Sequence, residues 1–130
     1  MVKKVITLGE VMLRLKSPGF ERFFQSPQLE ATFGGGEGNV AASLANFGLE
    51  ASFVTALPHN PIGDSAIRAL RSLGVDTSHV IRQGQRIGIY FLEGGANQRA
   101  SNVVYDRADS SISSAQPDDF DWDAIFAGAG

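Results

Sequence analysis

The segment from Phe33 to Gly48, FGGGEGNVAASLANFG, restricts what this chain can fold into more than any other stretch, because it joins a cluster of glycines directly to an amphipathic helix. Gly34, Gly35, Gly36 and Gly38 allow positive φ and let bare N–H groups come close to a bound molecule, and the helix predicted over residues 39–47 adds the positive end of its dipole. No Walker-type lysine follows the glycines, so the loop reads as a backbone cradle for a small polar ligand. Asn39 is then a helix cap, a ligand contact, or both. Val40, Leu44 and Phe47, with Ala41 and Ala45 beside them, form the predicted apolar face, and Gly48 stops the helix.

Two kinds of strand surround this segment. Residues 2–8, 51–57 and 124–127 are short, mostly apolar runs, which suit a parallel sheet covered by helices on both faces. Between the second and third of these, Asp64 is placed to cap a helix in which Ile67, Leu70 and Leu73 recur at helical spacing before Gly74. Residues 11–16, 29–33, 87–93 and 100–106 read instead as strands with one wet face. In the first of them Met12, Arg14 and Lys16 alternate with Val11, Leu13 and Leu15. The last two form a hairpin across Gly94, Gly95, Ala96 and Asn97, and together the four build a second, half-exposed sheet. A small ligand belongs where the two sheets meet, at the carboxyl ends of the parallel strands.

Composition removes several function classes. At 130 residues, 43% apolar and 19% charged, the chain suits one globular domain. A net charge of −3 without a basic patch gives nucleic acid or an anionic membrane no footing. The apolar runs fall short of the roughly 18 residues of a membrane span. The chain has no cysteine, so disulfides and thiolate metal sites are excluded, and Lys3 and Lys4 precede a strand rather than a secretory core; both observations favour the cytoplasm. His59 and His79 stand alone and suggest no metal site.

Gly36 to Ala41 satisfies the G-x-G-x-x-A dinucleotide fingerprint, but it does not follow the first core strand, and no carboxylate ends the second to hold a ribose. A purely structural tight turn leaves the clustering of four glycines and an asparagine unexplained. Tyr90, Tyr105 and Arg107 come from the hairpin, and Tyr105 and Arg107 share a strand face. They either converge on a carboxylated or hydroxylated ligand, for which an arginine fork is suited, or fill the sheet interface and leave Arg107 as a solvated rim charge. Asp106 and Asp109 read as solvated loop acids.

VITLGEVMLRL, FGGGEGNVAASLANFG, NPIGDSAIRALRSLGVDTSHV, RIGIYFLE and VVYDRADSSIS, in this order and spanning the chain, resemble the PfkB (ribokinase-like) carbohydrate kinases, and among them the 2-keto-3-deoxygluconate kinases. The resemblance implies an α/β ribokinase-like fold, a parallel sheet flanked by helices with a small β-sheet lid. Core segments would be 1–10, 34–85 and 118–130, and lid segments 11–33 and 86–107. It further implies transfer of the γ-phosphate of ATP, with Mg²⁺, to a primary hydroxyl of a sugar acid. Gly34, Gly35 and Asn39 would hold sugar hydroxyls, Tyr90 and Tyr105 would contact substrate from the lid, and Arg107 would pair with its carboxylate. The family's GAGD-type segment, whose Asp deprotonates the attacking hydroxyl, has no counterpart here, since Gly128-Ala129-Gly130 lacks the acid. The expectation is therefore the N-terminal, sugar-binding part of a kinase, with no catalytic residue, metal ligand or ATP-binding residue in these positions and no turnover by the 130 residues alone. The alternatives are another PfkB kinase of fructokinase type, or a non-catalytic sugar-binding or dimerisation module, because an open four-stranded lid has edges that favour pairing with a second copy.

Overall fold

The computed structural model describes residues 4–95 and 99–129. The sequence expectations for Val2 and Lys3, for the hairpin tip at Ala96 and Asn97, and for Gly130 lie outside the described residues. In chain order the elements are β1 (Lys4–Leu8), β2 (Met12–Lys16), β3 (Glu30–Gly34), α1 (Gly36–Asn46), β4 (Glu50–Val54), β5 (Ala56–Leu57), α2 (Pro61–Ser72), β6 (Ile81–Arg82), β7 (Ile89–Glu93), β8 (Asn102–Asp106), α3 (Ser111–Ser114) and α4 (Trp122–Phe126), with a 3-10 turn at Pro117–Asp119.

β1 and β4 pair in parallel, Lys4 opposite Glu50 through Leu8 opposite Val54. Single parallel bridges extend this pair on both sides, Lys4 with Ala129 and Ser52 with Asp76. The apolar run 51–57 is not one strand. It breaks at Thr55, after which β5 leaves β1 and pairs in parallel with β6. Because side chains alternate along a strand, Phe53 and Val54 face opposite layers. Phe53 joins Ala41, Ala66, Leu70 and Val75 under α1 and α2. Val54 and Ala56 join Phe120 and Ile125 on the other face, where Ile112 and Trp122 complete the cluster. The sheet is thus covered on both faces.

The alternating strands form one sheet in the order β3-β2-β7-β8. β2 runs antiparallel to β3 and parallel to β7, and β7 and β8 form an antiparallel hairpin. Leu13 and Phe33 anchor this sheet to the core cluster beneath α1.

Several other expectations need correction. The helix after the glycines starts at Gly36, with Gly35 as N-cap and without a side-chain cap, so Asn39 is its fourth residue and its N–H is bonded to Gly35 O at 2.9 Å. None of the four clustered glycines adopts the left-handed φ expected of them, which among the described glycines belongs to Gly19, Gly48, Gly74, Gly84 and Gly128. On α1 Ala41, Leu44 and Ala45 pack on the core as expected and Gly38 joins them, buried against Phe53 and Leu70, while Val40 and Phe47 are exposed. Asp64 does not cap α2. Asn60 does, accepting from Gly63 N at 2.9 Å, and Pro61 takes the first helical position, where its missing N–H costs nothing.

The last correction concerns 124–127, which lies mostly in α4 and is not a strand. The Asp121 side chain accepts from Ala124 N, and Trp122 stacks on Phe126 one turn later, ring centroids 5.8 Å apart. Four apolar residues are too few to display a period, so the cap decides. Ala129, beyond the helix, makes the single bridge to Lys4 of β1.

Asp64 instead receives a 2.6 Å hydrogen bond from Arg82, which holds its carboxyl below the usual carboxylate range. A depressed folded-state pKa contributes stability above the unfolded pKa and loses it as pH falls through the folded one. Asp64→Asn is therefore expected to flatten the acid limb of the stability profile, measured by urea unfolding from neutral pH down through the carboxylate range. An unchanged acid limb would show that the exposed pair adds nothing.

Among the described residues no helix is long and apolar enough to cross a membrane.

Candidate functional site

The register of the four-stranded sheet sets Thr32 (β3), Arg14 (β2), Tyr90 (β7) and Tyr105 (β8) side by side in one row. Residues paired directly across strands, and residues two apart along one strand, share a face. Gly34, Met12 and Arg107 therefore belong to this face as well. Leu13, Leu15, Phe33, Ile89, Phe91 and Val104 project from the opposite one.

On the polar face the rings of Tyr90 and Tyr105 lie 6.0 Å apart, tilted by 38°. The Arg107 guanidinium carbon sits 5.4 Å over the Tyr105 ring, within cation–π range. Tyr90 Oη reaches Gly34, where a Cβ atom would stand only 2.8 Å from it and 3.9 Å from Arg14 Cδ. Gly34, Tyr90, Tyr105 and Arg107 therefore share one surface beside the amino end of α1. Tyr105 is 61% exposed, so it does not fill an interface.

Gly35 is required to be glycine for a reason other than a positive φ. Its φ of 165° is ordinary extended backbone, and what demands glycine is the carbonyl of Glu10, which occupies the place a Cβ would take. This packing leads the chain out of the sheet and straight into α1, whose first-turn N–H groups have no side-chain cap. Asn39 is exposed and lines a narrow groove of about 30 Å³ together with Gly34, Gly35, Val11, Phe33 and Leu70.

Three residues overlooked in the sequence complete the surface. Glu10 follows β1 at its carboxyl end and pairs with Arg107, Oε1 to Nη1 3.6 Å. Its Oε2 accepts from the buried Ser110 Oγ at 2.9 Å. Arg14 stands next to Tyr90 and donates a long hydrogen bond, 3.4 Å, to Thr32 Oγ1. The position of Glu10 after a parallel strand was a usable signal. The neighbourhood of Arg14 and Tyr90 was not, because it depends on cross-strand register. Asp106, read as solvated, accepts an ion pair from Arg86 at 2.9 Å, and so ties the end of β8 to the entry of β7.

Two guanidinium groups, Arg14 and Arg107, share this face with the Tyr90 and Tyr105 rings and hydroxyls, and the Glu10 carboxylate stands beside Arg107. Such a surface suits a small ligand carrying one carboxylate and several hydroxyls. Among the described residues no cluster of three or more His, Asp or Glu could hold a metal ion. A cavity of about 390 Å³ lies at the other end of the parallel strands, among Lys4, Glu50, Ser52 and Asp76, where the charges do not favour an anion.

The profile described as pfkB family carbohydrate kinase matches residues 2–129. A crystal structure of 2-dehydro-3-deoxygluconokinase from Thermotoga maritima superposes with a TM-score of 0.95 at 57% identity, over 98% of this chain and 39% of that one. A 2-dehydro-3-deoxygalactonokinase from Haloferax volcanii is 35% identical over 96% of this chain and 39% of its own length. A 2-dehydro-3-deoxygluconokinase from Thermoproteus tenax is 30% identical over 90% of this chain and 37% of its own. The chain thus spans about two-fifths of the length of these relatives.

Proposed function

The chain belongs to the pfkB family of carbohydrate kinases, and on that premise we propose that the natural protein phosphorylates a primary hydroxyl of a sugar acid of the 2-keto-3-deoxygluconate type, with ATP as donor. The observation that carries this reading is the single face on which Tyr90 Oη meets Gly34 while Tyr105 and Arg107 continue toward Glu10. Arg107 takes the carboxylate, and the tyrosine hydroxyls and the amides near Gly34 and Gly35 take hydroxyl and keto oxygens. Asn39, which lines a groove with Gly34 and Gly35, takes sugar hydroxyls beside them. Gluconate and galactonate forms share the keto-acid end and differ in a hydroxyl further along, so the choice between them lies outside the Arg107 contact.

The four-stranded sheet, segments 11–33 and 86–107, acts as a lid over core segments 1–10, 34–85 and 118–130. Among the described residues the acids are not grouped to hold the Mg²⁺ of ATP·Mg²⁺. The face of the lid away from the ligand bears a hollow of about 260 Å³ lined by Phe23, Phe24, Phe91 and Val104, and Phe24 is 72% exposed. A second copy of the chain is the partner proposed for it, in a cytoplasmic enzyme.

The test is a coupled ADP-release assay on the natural polypeptide with 2-keto-3-deoxygluconate and with D-fructose. The expected result is turnover with a clear preference for the keto acid. A preference for fructose would support the fructokinase-like alternative, and binding without turnover of either would support a non-catalytic module.

A further inference from the structure

We propose that Glu10 is a positioning residue for Arg107, holding its guanidinium on the ligand face, and thereby sets the preference of the site for a sugar acid over a neutral sugar. This inference rests on the reading of Arg107 as the carboxylate-binding residue.

Arg107 follows the last strand of the sheet, and its side chain is more than half exposed (56%). An arginine in that situation carries a large rotamer entropy, which opposes binding unless something else orders it. The Tyr105 ring lies 5.4 Å from the guanidinium and restrains it on one side, but a ring face alone leaves it free to slide. Glu10 supplies the second restraint. Its Oε1 is 3.6 Å from Nη1, close enough for attraction and too far for a hydrogen bond that would occupy the donor. The guanidinium therefore keeps its donors for a ligand, and a fork has enough of them to serve a carboxylate bidentately.

Glu10 is itself held. Its side chain is only 19% exposed, and Oε2 accepts from the hydroxyl of Ser110, which is 1% exposed and also caps α3. Space has been kept for this carboxylate. A Cβ at Gly88 would stand 2.6 Å from Glu10 Oε2 and 2.9 Å from Arg107 Cβ, so glycine there is what lets the acid pass between β7 and the arginine. Glu10 grows from the end of β1 in the parallel core, whereas Arg107 ends the four-stranded sheet. The pair therefore transmits the rigid position of the core strand to a residue at the sheet's edge.

The experiment measures 2-keto-3-deoxygluconate and D-fructose binding by titration calorimetry on the natural protein, for the wild type, Glu10→Gln, Glu10→Ala, Arg107→Ala and Glu10→Ala combined with Arg107→Ala. The Glu10→Gln variant keeps an acceptor for the Ser110 hydroxyl and removes only the charge, so it stands in should the alanine variant fail to fold. The expected result is a loss of about 10-fold in keto-acid affinity for Glu10→Ala, with fructose within about twofold, and a smaller loss in the same direction for Glu10→Gln. In the Arg107→Ala background, Glu10→Ala should change keto-acid binding no further, since Glu10 acts through that arginine.

Equal losses for both sugars, a full additional loss in the Arg107→Ala background, or tighter keto-acid binding without Glu10 would each overturn the proposal. The last would show competition with the ligand in place of positioning. If Arg107→Ala leaves keto-acid affinity intact, the assignment of Arg107 fails first. If Arg107→Ala behaves as stated and the Glu10 variants do not, only this inference fails.

Discussion

Gly35→Ala is expected to be among the most damaging single methyl additions to this protein, and Gly36→Ala one residue later to be harmless. At 35 the new Cβ falls on the backbone carbonyl of Glu10, and at 36 it meets nothing within 4 Å. A carbonyl cannot rotate aside as a side chain does, so the strand end or the helix must shift. Forced overpacking of this kind costs about 3 kcal/mol. The same shift would move Glu10 away from Arg107 and the amino end of α1 away from Gly34, so keto-acid affinity should fall by about 100-fold beyond the loss of stability. Gly36 is the first residue of α1, where alanine is a better helix former by about 0.5–1 kcal/mol, so that variant should be neutral or slightly more stable. Urea unfolding and calorimetric titration of the two variants side by side decide the matter. Equal tolerance at both positions would remove the close approach of β1 and α1 as the basis of the site.

The second large effect is expected at Arg107. Hydrogen bonds to charged groups contribute about 1.5–3 kcal/mol, so Arg107→Ala should weaken 2-keto-3-deoxygluconate binding by about 10- to 150-fold. D-Fructose, which has no carboxylate, should change by less than about threefold. Arg107→Lys should recover only part of the loss, since an ammonium keeps the charge and lacks the planar fork. Because the guanidinium is half exposed, the wild-type preference for the acid should also shrink as salt rises from low to molar concentration. Equal losses for acid and neutral sugar would show that Arg107 supports the fold of the sheet edge and does not read the carboxylate.

Much of the architecture was legible in the chain. Polar and apolar residues alternate from Val11 to Lys16 and along the hairpin, and a period of two leaves few arrangements other than a sheet with one wet face. The apolar runs at 4–8 and 51–57 announced the parallel pair. Local reading failed where a tertiary contact overrode propensity. Glycine is a poor helix former, so a helix that starts at Gly36 and carries Gly38 in its first turn was unreadable locally; Gly38 is buried there against Phe53 and Leu70. Residues 124–127 were too few to show a period, and the Asp121 cap and the Trp122–Phe126 stack made them helical.

The sequence by itself determined the two classes of strand, the glycine-to-helix junction and the spacing that puts Tyr105 and Arg107 on one face, because these follow from the local geometry of a strand or a turn. Only the tertiary structure decided that Arg14 stands beside Tyr90, that Glu10 reaches Arg107 and Ser110 from the far end of the chain, and that Gly35 answers to a carbonyl instead of a dihedral angle. Each of those depends on the register between strands or on the distance between two backbones, which is fixed by packing the whole core at once and leaves no periodic trace in the chain.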